Sequence, residues 1–430
     1  MQGISIRSAV SGCLLSPKDG TRRVEPERRT AATVGPSIKV FLYSHDTYGL
    51  GHLRRNLAIA EHLLTREDSF SVRLLTGSPV IGDWNLPQGL DVTALEPVVK
   101  IGVETYAPRS SPLPFNLVKA YREALILRAV IEERPDIFLV DHAPAGMNGE
   151  LLSTLAYIQR ELPDTTVVLG LRDILDCPET VRRIWREQAI IPLLETLYGR
   201  ILVYGDRELF DVAEGYGVPP ELAAKFTYCG YVSRPIVQAE PRVDTVFRTV
   251  LVTAGGGEDG YFLMEAYLKA LALLEETDVR SLIVTGPLMS AVQRQALDDL
   301  SSGRPDVEII TSTADLPTLL QQSALVVAMG GYNTSVEIVA SGRPAIIVPR
   351  AAPRAEQRMR AAMFARLGLV WSLEPGADLD RRLAELIDSV LAGVTTPIRR
   401  HALKLDGAAC VGRIFDDLTQ PETQRLQASQ

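Results

Sequence analysis

Cysteine is scarce and scattered: Cys13, Cys177, Cys229 and Cys410 stand far apart in 430 residues. They form no CxxC pair and no Cys/His cluster, which argues against a zinc module and a disulfide framework. Isolated thiols fit a reducing compartment. Basic charge is short as well: 45 Lys and Arg face 53 Asp and Glu, a net charge of −8. A nucleic-acid binder carries a basic footprint, so no nucleic acid is expected as a partner. A local basic groove for a small phosphorylated ligand stays open. No apolar run reaches the ~18 residues that span a bilayer, and the N-terminus lacks the apolar stretch of a signal peptide. A cytoplasmic chain is expected, with peripheral contact at the inner face of the membrane left open. HExxH is absent. The Asp-x-Asp at Asp378-Leu379-Asp380 precedes a helical stretch and reads as a cap, so no metal is expected.

What the chain does have is alternation. Hydrophobic residues make up 46%, and 430 residues exceed one ordinary core, so two domains are expected. Residues 1–36 mix Arg, Ser, Pro and Gly with little periodicity and read as a flexible N-terminal extension. Order should begin at 38-IKVFLYS-44, a short run of β-formers. The helical pattern after it puts Leu53, Leu57, Ala60 and Leu64 on one face, with Arg54, Arg55 and Glu61 elsewhere. Strand-like runs at 71–75, 91–95, 137–140, 166–170 and 201–204 alternate with helical ones at 114–132 and 148–160. A second series, at 249–254, 280–286, 307–310, 324–328 and 345–349, repeats the layout. Pro and charge in 233–244 mark a linker. The expected organisation is α/β: two doubly wound Rossmann-like domains at 37–235 and 245–400, then a C-terminal helix or tail at 401–430. Ligands of such sheets sit beyond the carboxyl ends of the strands, and two facing domains would form a cleft.

Four stretches carry chemistry. In 326-VVAMGGYNTSVEIVASGRPAIIVP-349, Gly330 and Gly331 allow a tight turn after a strand, and Asn333 or Thr334 can cap the next helix. Free amides at a helix start favour a phosphate. Glu337, one turn in, can accept hydrogen bonds from ribose hydroxyls; it also completes a capping box with Thr334. Both readings stand at this level. Gly342 should end the helix. In 253-TAGGGEDG-260, Gly255 and Gly256 can cradle phosphate with backbone amides or simply form a flexible turn. In 47-TYGLGHLRRNLAIAEHL-63, Gly49 and Gly51 frame a turn that places His52 and Arg55 at a helix start. His52 can act as a general base. Asp141 and His142 follow the 137–140 strand as alternatives for the same task, although Asp141 could instead cap the strand end. Finally, 350-RAAPRAEQRMRAAMFARLG-368 carries Arg350, Arg354, Arg358 and Arg360, which could offset a diphosphate, beside an apolar face of Met359, Ala362, Met363 and Leu367.

The stretch from 251-LVTAGGG-257 through 331-GYNTSVEIVASGRPAIIVPRAAPRAEQRMRA-361 resembles the C-terminal domain of glycosyltransferase family 28, the MurG-like enzymes. The GLGH turn at 49–52 resembles that family's N-terminal glycine loop. The resemblance implies a GT-B fold whose C-terminal domain holds a nucleotide sugar, expected to be a UDP-sugar such as UDP-N-acetylglucosamine. It implies Glu337 on the ribose, Gly255, Gly256, Gly330, Gly331 and Asn333 along the phosphates, and Gln357 on the sugar. Thr334 and Arg350 fall in the same donor block. Gly49, Gly51, Arg55, His142, Glu150, Arg172 and Asp173 are expected on the acceptor side. The segments 141-DHAPAGMNGEL-151 and 172-RDILD-176 depart from MurG, so its acceptor is not implied; a lipid-linked or natural-product acceptor is open. GLGHLRR also resembles the GxGHxxR motif of a nucleotide-sugar hydrolase. The expectation is an inverting, metal-independent glycosyltransferase with no cofactor beyond its co-substrate. A hydrolase or a non-catalytic donor-binding subunit is the alternative.

Overall fold

The computed structural model describes residues 37–47, 50–66, 69–102, 105–234, 248–274, 278–313, 315–350, 354–395 and 402–420. The expected extension at 1–36, most of the expected linker and Gly49 lie outside the described residues. The first half contains strands β1 (Ile38–Ser44), β2 (Phe70–Thr76), β3 (Asp91–Ala94), β4 (Val98–Gly102), β5 (Thr105–Pro108), β6 (Ile137–Asp141), β7 (Thr166–Arg172), β8 (Arg200–Tyr204) and β9 (Phe226–Tyr228). The second contains β10 (Arg248–Thr253), β11 (Val279–Val284), β12 (Val307–Ile310), β13 (Leu325–Ala328), β14 (Ala345–Ile347) and β15 (Trp371–Ser372).

One sheet runs β3-β2-β1-β6-β7-β8-β9 and the other β12-β11-β10-β13-β14-β15. Their pairings are parallel throughout. Strands covered on both faces read as unbroken apolar runs: all of β6 and all of β13 are buried. In the second sheet the order follows the doubly wound pattern 3-2-1-4-5-6, and the first repeats it with one more strand. The short antiparallel pair β4–β5 stands apart from both.

The halves share packing. One apolar cluster joins Leu42, Leu53 and Leu57 of the first half to Leu251, Val326 and Val336 of the second. The Gly407–Thr419 helix belongs to that cluster through Val411 and Phe415, both fully buried. It also carries Asp416, which pairs with Arg66 at 2.8 Å just past the first helix, Gly51–Leu64. The Gly407–Thr419 helix therefore returns to the first half.

Several local expectations are corrected. The Tyr332–Ser341 helix takes Gly331 as its N-cap and has no side-chain cap. Neither Asn333 nor Thr334 caps it, and the capping box with Glu337 does not form. Its end at Gly342, with φ 71°, is as expected. Arg55, off the apolar face of its helix, is nonetheless buried. In the Glu356–Arg366 helix Ala362 is exposed, and Ala361 and Phe364 take the apolar side. Asp378 starts the Leu379–Leu391 helix without a capping bond and pairs with Arg381 and Arg382 instead.

Candidate functional site

In each sheet the winding reverses beside the first strand, between β1 and β6 and between β10 and β13. Such a switch point leaves a crevice at the carboxyl ends of the strands. The sequence motifs stand there. β1 leads into the turn before His52, β6 ends on Asp141, β10 leads into Gly255–Gly257, and β13 leads into Gly330 and Gly331. A cleft of about 330 Å³ joins the crevices.

On the first-half side, His52 and Asp141 form a dyad, Nδ1 to Oδ2, at 2.5 Å. Asp141 is fully buried and also receives Arg55 Nε at 3.0 Å and Nη2 at 2.7 Å. Burial opposes its ionisation, but the charges of Arg55 and His52 outweigh this and hold the carboxyl at about 2. A carboxylate accepts only, so the imidazole proton sits on Nδ1 and Nε2 keeps its lone pair. Burial lowers the His52 pKa, against the pull of Asp141 in the other direction. The ring is thus neutral at pH 7 and able to take a proton. His45 and His142 flank it, with ring centroids 5.7 Å and 5.2 Å from His52.

On the second-half side, Gly255, Gly256, Gly331, Asn333, Thr334, Arg350 and Gln357 line the cleft. The start of the Tyr332–Ser341 helix opens here without a side-chain cap. Gly257, at φ 91°, could not carry a side chain: a Cβ would lie 2.1 Å from the carbonyl oxygen of Thr285. That glycine lets the loop lie backbone to backbone against Gly286. Glu337 is buried, and its Oε2 has no hydrogen-bond partner among the described residues. The Arg54 Nη1 lies 3.7 Å from it. Glu337 is not among the residues that line the cleft; a buried carboxylate oxygen without a hydrogen bond is costly.

Contacts across the cleft tie the two sides together. Asn333 donates to the Gly51 carbonyl at 2.9 Å. Arg360 is fully buried and meets Asp173 at 2.6 Å. Arg350 pairs with Asp259 and Glu356, and Arg358 pairs with Glu374 at the surface. The expected four-arginine cluster on a diphosphate is therefore not formed: Arg360 serves the domain contact and Arg358 faces away. Arg172 does line the cleft. Glu150 does not; it is held in the interior by Arg122 and Tyr43. Gly330 supports from behind, its carbonyl accepting from Arg360.

Residues that sequence reasoning passed over also line the cleft, among them Arg54, Trp84, Arg234 and Gly286. His45 escaped as well. Its position directly after β1 was the available signal, because that strand end is where a doubly wound sheet receives ligands. Trp84 and Arg234 had no such signal.

Comparison with known proteins follows this geometry. Residues 249–403 match the glycosyltransferase family 28 C-terminal domain. The chain is 30% identical over 215 residues to the UDP-N-acetylglucosamine--N-acetylmuramyl-(pentapeptide) pyrophosphoryl-undecaprenol N-acetylglucosamine transferase of Methylorubrum extorquens. That match covers 46% of this chain and 55% of the relative, so the chain spans about half the length of the curated relatives it matches. Among solved structures, the glycotransferase of kitacinnamycin superposes with a TM-score of 0.56 at 17% identity, covering 90% of this chain and all of that one. MurG of Acinetobacter baumannii gives 0.55 at 13% identity, covering 89% and 99%. At those identities the superpositions bear on the fold alone. No described helix is long and apolar enough to cross a membrane. Residues 249–403 thus match the glycosyltransferase family 28 C-terminal domain, and the chain as a whole has the GT-B fold seen in MurG of Acinetobacter baumannii.

Proposed function

We propose that the protein transfers a sugar from a UDP-sugar to an acceptor hydroxyl, with inversion and without a metal ion. The observation that carries this reading is the meeting of two half-sites in one cleft. A neutral His52 backed by Asp141 stands on one side. An uncapped helix start and a glycine loop stand on the other.

The acceptor oxygen attacks the anomeric carbon as its proton passes to His52 Nε2. The bond from that carbon to the phosphate oxygen breaks, and the nucleoside diphosphate leaves with the electron pair. Asp141 stabilises the imidazolium that forms. Charge developing on the leaving group meets backbone amides at Gly255, Gly256 and the Gly331 helix start, with Arg350 and Arg172 as the nearby cations. Glu337 takes the ribose hydroxyls. The curated relatives are named as N-acetylglucosamine transferases, which supports UDP-N-acetylglucosamine as the first donor to try.

Those relatives act, by name, on an undecaprenol-linked acceptor. Exposed Leu117 and Tyr121, one turn apart on the Phe115–Glu133 helix, with Leu113 just before it, support peripheral contact with a membrane surface. Serine at both 117 and 121 should then abolish co-sedimentation with phosphatidylglycerol vesicles; unchanged sedimentation removes the membrane from this reading.

The function itself is tested by mass spectrometry of products from UDP-N-acetylglucosamine, with and without a host extract. A new mass raised by one sugar, formed only with extract, is expected. Rapid release of free sugar without extract would make the protein a hydrolase. Binding without either product would make it a donor-binding subunit.

A further inference from the structure

Behind the dyad lies a second cavity of about 370 Å³. His45 and His142 form one wall of it, and His52, whose ring lies 5.2 Å from that of His142, lines the donor cleft, so the two spaces adjoin at these imidazoles. The centroids of His45 and His142 are 6.2 Å apart. His45 is only 8% exposed. Its Nε2 contacts Thr47 Oγ1 at 3.3 Å, whereas its Nδ1 has no partner among the described residues. The Nδ1 of His142 is likewise buried and without a partner there. Two orphaned ring nitrogens in one wall point to a polar ligand that is not part of the chain.

The remaining walls fix that ligand's character. The Pro178–Glu187 helix supplies Val181, Ile184 and Trp185 as an apolar face. Lys100 and Arg354 bring positive charge. The acid on the lining, Asp176, is engaged: its Oδ1 accepts from the amides of Cys177 at 2.8 Å and Ala355 at 2.9 Å. Backbone strain gathers at the same place. His142 (φ 69°) and Asn148 (φ 49°) line the cavity, and Ala189 (φ 49°) sits between two lining residues, Gln188 and Ile190. Left-handed non-glycine residues cost free energy, persist where surrounding packing holds them, and cluster at binding sites.

We propose that this cavity is the acceptor subsite and that it takes a hydroxy acid. The hydroxyl meets the imidazole wall, a ring-sized apolar body lies on Trp185 and Ile184, and a carboxylate or phosphate sits between Lys100 and Arg354. The proposal rests on the transferase reading above for the name acceptor, but its binding chemistry can be tested apart from turnover.

The test is a saturation-transfer NMR titration of the full chain, saturated with UDP. Three probes of one shape are compared: para-hydroxyphenylacetate, para-hydroxybenzylphosphonate and the neutral para-hydroxyphenylacetamide. At least one anion should bind about tenfold tighter than the amide, as expected for a charge-assisted contact, and the tighter anion identifies the group. Lys100→Ala should erase that preference. Trp185→Leu should weaken all three probes alike, with the melting temperature as the check on folding. Equal binding of anion and amide, a preference that survives Lys100→Ala, or no binding by any probe would overturn the subsite. Should UDP itself fail to bind, the transferase reading falls, and the same comparison on the nucleotide-free chain decides the subsite alone.

Discussion

His52 and Glu337 show at the scale of single residues what burial does to polar side chains. The His52 pKa is lowered from 6.5 by burial, with Asp141 pulling it back up. In the proposed reaction the neutral ring takes the proton, so a lowered pKa keeps it active to more acidic pH. kcat/KM for transfer should therefore be flat around pH 7 and fall only on an acid limb below 6.5. Asp141→Asn removes the pull upward, so the limb should move to lower pH as turnover drops. A profile unchanged by Asp141→Asn would detach the dyad from catalysis. Glu337 offers a second case. Its Oε2 lacks a hydrogen bond within the chain, so Glu337→Ala should weaken UDP binding by about 1.5–3 kcal/mol, the worth of hydrogen bonds to a charged group. Calorimetric titration with UDP reads this directly, and an unchanged affinity would return Glu337 to a purely structural place.

Elements carry a different lesson, about contact between the halves. Arg360 on the Glu356–Arg366 helix and Asp173 just after β7 are 0% and 2% exposed and meet at 2.6 Å. Removing one partner leaves a buried charge alone, so Arg360→Met should destabilise the chain by about 3–5 kcal/mol. Urea unfolding measures it; a loss below about 1 kcal/mol would mean the pair is solvated in solution. This contact also marks the limit of what the sequence reveals. Strand and helix periodicity made both sheets legible, because parallel strands buried on two faces read as continuous apolar runs. Glycines after β10 and β13 located the loops of the cleft. The capping box in the Thr334–Glu337 stretch misled, because a helix that starts one residue after Gly331 has already passed Thr334 before any cap could form. The arginines at 350–360 misled for another reason. Which of them faces ligand and which faces Asp173 depends on the packing of two distant segments, and no local pattern encodes that. Glu150, expected on the acceptor side, is held away from the cleft by Arg122, which comes from a helix elsewhere in sequence.

At the scale of the whole molecule, two doubly wound sheets place their switch points face to face, and each supplies an incomplete site. The first half holds the His52–Asp141 dyad and most of the lining of the second cavity. The second half holds an uncapped helix start, a glycine loop and the buried carboxylate of Glu337. Shared packing, with the Gly407–Thr419 helix returning to the first half, keeps the two in register. Donor binding and chemistry should then be separable by mutation. The most direct measurement is the effect of His52→Ala on both at once: UDP affinity by calorimetry and transfer from UDP-N-acetylglucosamine by product mass. Expected is a fall in turnover of about 10²–10⁴-fold, the range for losing a general base, with UDP affinity nearly unchanged. Turnover at the level of the unaltered chain would contradict the central role given to the His52–Asp141 dyad.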